Sequence, residues 1–332
     1  MLGMIRCGVA VLSLAAASPG LEEAAKTAQG LPRLYSLVVS RGGEIVLERY
    51  YRGTRATTPA NIKSASKSVI SALVGIAIER KLIPGVDAPI APYFKEMLAA
   101  DPAKSKVTIE DLLSMRSGLE PISNRNYGAW VLSPNWVGYI LRRPMNGTSG
   151  QTMRYSTGNS HLLSAILTKA TGKSTWAFAN EVLAKPLGFT LSPWTRDPQG
   201  IFFGGNEMVM TPRQMLAFGE LYLRRGRAGG KQLVSEAWVD ASFVPRGRSD
   251  YSDQLYGYGW WIRELAGREV YYAWGYGGQF IFIVPDLEMV IVTTSVPTPG
   301  PQRREQLHGI YAMVERLVDG QEAQLGQFRL TP

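Results

Sequence analysis

Cysteine is almost missing from this 332-residue chain: the sole thiol is Cys7, inside the first apolar stretch. If that stretch is removed on export, neither a disulfide nor a thiol nucleophile is left. Histidine is nearly as scarce, with His161 and His308 alone. A Ser-His-Asp triad would have to recruit one of the two, and no Gly-x-Ser-x-Gly elbow presents a serine to it. Neither histidine belongs to a His-Glu-x-x-His pattern, so zinc hydrolysis lacks its ligands, and neither a metal nor another cofactor is expected. His161 reads as a satisfied helix histidine and His308 as a surface or packing residue of a C-terminal amphipathic helix. Apolar runs long enough to span a bilayer are absent after the first 18 residues; the longest are broken by Pro134 and Asn135 or alternate like strands. There is no internal repeat and no low-complexity tract.

What is present fits a large folded enzyme. At 45% hydrophobic residues, the chain can bury one large core or two closely packed ones. The formal charge of +9 arises from 36 basic against 27 acidic residues. The basic residues are scattered, and their tightest groups (Arg142 with Arg143, Arg224 with Arg225 and Arg227, Arg303 with Arg304) fall at expected helix ends. That pattern is a solvated surface rather than a nucleic-acid footprint.

Residues 1–18 carry Arg6, an apolar run from Cys7 to Ala17, and small residues at Ala15, Ala17 and Ser18. This reads as a secretory signal cleaved near Ala17, and hence as a periplasmic or secreted protein; the alternative is an N-terminal helix behind a misplaced start. Ile5 and Arg6 before Cys7 do not suit lipid attachment.

The periodicity divides the rest. Residues 35–52 alternate around Gly42 and Gly43, which predicts a hairpin. Residues 258–263, 270–274, 279–284 and 289–295 are short β-rich runs separated by glycines or by Pro285-Asp286-Leu287, as in successive antiparallel strands. Between these blocks the period becomes helical. Thr108 with Asp111 forms a capping box, residues 160–171 end on Gly172, and Thr211 with Pro212 opens a helix stopping at Gly226. Strands from both chain ends predict an α/β (α+β) sheet domain, residues 19–82 and 200–332, closed around an inserted mainly helical domain, residues 83–199. A ligand cleft is expected where the two meet.

Within Asn61-Ile62-Lys63-Ser64-Ala65-Ser66-Lys67-Ser68, a serine-rich start gives way to the apolar run 69–78, which must be a buried helix. Ser64 then sits in that helix's first turn, where free N–H groups and the positive dipole end favour a developing oxyanion. Lys67, three residues on, shares its face. Taken locally, Ser64 is equally well a simple N-cap and Lys67 a snorkelling surface lysine. Gly172-Lys173-Ser174 mimics the end of a phosphate loop, but Leu167 stands where its first glycine belongs, so it reads as a helix terminus.

Four stretches together resemble serine β-lactamases and penicillin-binding proteins, most closely the class C β-lactamase group with its esterase and 6-aminohexanoate-dimer hydrolase relatives. They are Ser64-Ala65-Ser66-Lys67, the segment from Thr108 to Leu119, Tyr155-Ser156-Thr157-Gly158-Asn159, and Gly275-Tyr276-Gly277-Gly278-Gln279. The resemblance implies a β-lactamase/transpeptidase-like fold, an antiparallel sheet flanked by helices, and an acyl-enzyme on Ser64. It implies that Tyr155 pairs with Lys67 and shuttles protons; whether Lys67 or Tyr155 is the base stays open. The expected substrate is a small ester or amide.

Two departures bear on specificity. The third motif of that family carries Lys or His, where this chain has Trp274-Gly275-Tyr276-Gly277-Gly278-Gln279, and Thr157 replaces the usual Asn. A backbone N–H around Gly278 or Gln279 is expected to complete the oxyanion hole, with Tyr276 and Trp274 packing on the acyl group and Thr157 nearby. Without the cation, esters and linear amides are favoured over β-lactams, unless a distant arginine reaches in. A binding module that keeps the fold, with a cleft lined by Trp130, Trp136, Trp260, Trp261 and Trp274, is the remaining alternative; the sequence bears on neither oligomeric state nor the physiological substrate.

Overall fold

The computed structural model describes residues 19–320 apart from Ala100 and Asn124. The expected export signal, with Cys7, lies outside the described residues. The chain runs α1 (Pro19–Gly30), β1 (Leu34–Arg41), β2 (Glu44–Tyr50), β3 (Ala60–Asn61), α2 (Ser66–Glu79), α3 (Lys95–Leu98), α4 (Ile109–Leu113), α5 (Tyr127–Val131), α6 (Trp136–Leu141), α7 (Thr157–Thr171) and α8 (Thr175–Ala179). It continues through β4 (Val209–Met210), α9 (Pro212–Leu223), β5 (Arg227–Ala228), β6 (Lys231–Gln232) and α10 (Glu236–Phe243). Last come β7 (Gly247–Arg248), β8 (Leu255–Tyr256), β9 (Trp261–Leu265), β10 (Arg268–Gly275), β11 (Gln279–Val284), β12 (Met289–Ser295) and α11 (Arg303–Asp319).

One antiparallel sheet of eight strands, in the order β2-β1-β12-β11-β10-β9-β8-β7, organises the molecule. The β1–β2 hairpin turns on Gly42 and Gly43, whose φ values of 55° and 87° suit a two-residue turn matching strand twist. β1 then pairs with β12, so the first long strand closes against the last. β11 and β12 are buried along their whole length. Their period of two sends Ile281, Ile283, Val290 and Val292 into one core with α2 and α9. Phe280, Phe282, Met289 and Ile291 go to the other face, with α1 and α11. Helices therefore cover both faces of the sheet, as the β-rich runs and the amphipathic C-terminus led one to expect.

α2 is buried from Ser66 to Ala77, packed on β10 on one side and α7 on the other. Val69, Ile70, Leu73, Val74 and Ile76 each contribute about 1.5–3 kcal/mol of burial free energy. That surplus is large enough to offset the cost of holding Lys67 and three serines in the same helix. The capping box at Thr108/Asp111 forms as the spacing predicted, and α9 opens at Thr211 and Pro212 as expected, where the structure adds a second box closed by Gln214. α7 begins at Thr157, one residue beyond Ser156, so the Tyr155 motif runs directly into the helix start. Gly172 is its left-handed C-cap at φ 65°, which disposes of the phosphate-loop pattern. Trp130, Trp136, Trp260 and Trp261 lie in the core; Trp274 alone of the five is half-buried.

Candidate active site

Ser64 lies in a single 3-10 turn, Lys63–Ala65, that runs straight into α2. It is partly exposed, while Lys67 one turn later is buried, with only 3% of its surface accessible. The Lys67 amine reaches Ser64 Oγ at 3.0 Å, the Gly205 carbonyl at 2.8 Å and Thr157 Oγ1 at 3.4 Å. No carboxylate is among these partners. Burial without a counter-charge disfavours the ammonium and pushes the Lys67 pKa down to about 7. A neutral amine has two N–H groups and one lone pair, which matches two acceptors and one hydroxyl.

Tyr155 stands over this pair, its ring centroid 5.1 Å from Lys67 Nζ. It is held against Trp261 at 5.4 Å and edge-on to Tyr256 at 6.1 Å. Burial raises the pKa of its phenol, and its hydrogen bond with Ser64 works against that rise without cancelling it. The phenol is thus neutral at physiological pH and a proton donor. The structure therefore brings Ser64, Lys67 and Tyr155 together.

The remaining expected residues separate. Thr157 faces Lys67 and also meets Ser123, whose Oγ accepts the Thr157 N–H at 2.8 Å. Sequence reading missed Ser123 and Gly205, which sit in loops without a local motif. Gly278 turns into the fold: a Cβ there would meet Ile310 and Ser295, and its N–H is spent on the Gly275 carbonyl at 3.3 Å. The Gln279 side chain is pinned to Ser295 by bonds of 2.8 and 3.0 Å. Among the described residues, no turn, loop or cap bond takes the N–H groups of Ser64 and Tyr276. Gly275 explains how the two segments meet, since any Cβ there would come within 2.1 Å of the Ile62 carbonyl oxygen. β10 thus meets the Ser64 turn at Gly275, and of the two donors expected there the Gly278 N–H is already taken by the Gly275 carbonyl.

Trp274 stacks on Phe280 and meets Trp261 edge-on at 5.7 Å, forming an aromatic wall continuous with Tyr155. Tyr276 is 38% exposed, and the Arg303 guanidinium lies 4.9 Å from its ring centroid. A cation is thus present beside the third motif, carried by α11 rather than by the border strand. His161 is fully buried and bonds Asp197 at 3.1 Å, and His308 is exposed on α11. Among the described residues, no three His, Cys, Asp or Glu side chains converge as metal ligands.

This fold has counterparts. The family model described as Beta-lactamase matches residues 21–312, and the chain belongs to the β-lactamase family of serine hydrolases. A 6-aminohexanoate-dimer hydrolase of Paenarthrobacter ureafaciens is 24% identical over 315 residues, covering 86% of this chain and 78% of the relative. EstCE1, a hydrolase with promiscuous acyltransferase activity, superposes with a TM-score of 0.72 at 18% identity, over 90% of this chain and 97% of that one. A penicillin-binding protein from Bacillus halodurans gives a TM-score of 0.69 at 15% identity, over 87% and 98%. Among the described residues, no helix is long and apolar enough to cross a membrane.

Proposed function

We propose that this chain hydrolyses neutral or linear esters and amides through an acyl-enzyme on Ser64, with Lys67 as the base. The observation that carries the reading is the 3.0 Å contact between Ser64 Oγ and a buried Lys67 amine that has no carboxylate partner. The neutral amine takes the hydroxyl proton as Oγ attacks the carbonyl carbon. The oxygen of the tetrahedral intermediate is received by the N–H groups of Ser64 and Tyr276. Tyr155 passes a proton to the departing alcohol or amine, and a water then releases the acyl group by the same route in reverse. The relatives that act on an aminohexanoate dimer or transfer acyl groups support this substrate class.

Arg303 favours a second reading, an anionic substrate such as a β-lactam whose carboxylate would sit beside Tyr276. Catalytic efficiency on short-chain p-nitrophenyl esters, a linear aminohexanoate dimer and a cephalosporin separates the two. Ester or dimer turnover should lead, and a cephalosporin advantage of about a hundredfold, lost in Arg303→Ala, would establish the second reading instead.

A further inference from the structure

Lys63 and Glu207 are both non-glycine residues in the left-handed region, at φ 51° and 62°. They are also ion-paired to each other, Lys63 Nζ to Glu207 Oε1 at 3.1 Å. A single left-handed lysine just before a nucleophile costs backbone energy and persists only where its surroundings enforce it. The surroundings here are specific. Asn61 donates from Nδ2 to Glu207 Oε2 at 2.8 Å and accepts the Lys63 N–H on Oδ1 at 3.0 Å. Ile62 donates its N–H to the Met208 carbonyl at 2.9 Å, and β3 pairs with β4 just beyond. Residues 61–63 are thus gripped at every position by residues 207–209.

The same segment also holds the base. The Gly205 carbonyl accepts from Lys67, and a Cβ on Gly205 would lie 3.0 Å from that amine. The preceding Gly204 packs so closely on α7 that a Cβ would come within 2.1 Å of the Ser160 carbonyl oxygen. Asn206 donates to the Tyr127 hydroxyl at 2.7 Å. Residues 204–210 therefore run from the lysine to the turn that carries the serine, and Glu207 is their only charged member.

We infer that Glu207 is a positioning residue: through Lys63 and Asn61 it holds the left-handed turn that aims the Ser64 hydroxyl and N–H, in register with the Gly205 acceptor of Lys67. The inference rests on the Ser64 reading above. Its carboxylate does not meet the reacting atoms, so its removal should change the rate of bond formation and leave ligand affinity alone.

The test is the kinetics of fluorophosphonate labelling of Ser64, in which the Oγ–P bond forms, fluoride leaves and Lys67 takes the proton. Glu207→Ala should slow the limiting labelling rate by about ten- to a hundredfold, the scale of a small misplacement of a reacting group, with half-saturation unchanged. Glu207→Gln should fall between. Combining Glu207→Ala with Lys63→Gly should restore most of the rate, because glycine adopts φ near 51° without a clamp. Labelling at the wild-type rate in Glu207→Ala would overturn the inference, and so would a loss that the glycine does not repair while circular dichroism shows a folded chain. Failure of the wild-type protein to label at Ser64 would instead overturn the function reading.

Discussion

Two buried bases lie on neighbouring helices, and their surroundings assign them opposite work. Lys67 on α2 and His161 on α7 both have pKa values depressed by burial. Lys67 has only neutral partners and opens onto a half-exposed serine, so its proton is the part that must leave. His161 is enclosed by Trp130, Trp136 and Phe203, donates from Nε2 to Asp197, and accepts the Gly204 N–H on Nδ1 at 3.4 Å. A neutral imidazole with both nitrogens occupied is a structural group. The difference teaches that a depressed pKa marks a working base only when the free lone pair meets something that reacts.

The largest effect expected from this contrast is at the serine. Ser64→Ala should abolish covalent labelling and lower turnover by about 10⁴ or more. Peptide mass spectrometry that places the adduct on any other serine would end the assignment. Lys67→Met should cost on the order of 10³ in acylation, since proton removal is lost and the hydroxyl is left unactivated.

Stability gives a second handle on Lys67. Its folded pKa of about 7 lies below the ordinary value of 10.5, so between those pH values the unfolded chain binds a proton that the folded chain does not. The resulting penalty is full below about pH 7 and is relieved as pH rises toward 10.5. Wild type should therefore gain stability relative to Lys67→Met across that window, on the order of 2–5 kcal/mol by urea unfolding. A flat difference would mean that Lys67 is not held neutral. The same neutral amine sets the sign of catalysis: acylation should rise about tenfold per pH unit below pH 7 and level off above it.

The smallest effects belong to histidine. His161→Gln should cost about 1–3 kcal/mol of stability by loss of the Asp197 and Gly204 contacts, with acylation within about tenfold of wild type. His308→Ala, on an exposed helix face, should change neither. A rate loss of several orders of magnitude in folded His161→Gln protein would make the two bases partners and remove the contrast.

Much of this was legible in the chain because it is written locally. The alternation of residues 279–295 specifies strands, the run 69–78 a buried helix, and Thr108/Asp111 a cap, since each depends on neighbours a few residues apart. The three-residue offset from Ser64 to Lys67 fixes their shared face for the same reason. What Lys67 touches on its other side was not legible: Gly205 is 138 residues away and Thr157 is 90 away, so only the folded packing of α2 on α7 could say that no carboxylate would be there. The same holds for the strand-side oxyanion donor, where the turn after β10 spends the Gly278 N–H on the Gly275 carbonyl. Sequence determined the elements and the reactive side chains by short-range periodicity; tertiary structure alone decided which charges they would meet, because electrostatic surroundings are set by distant residues brought together.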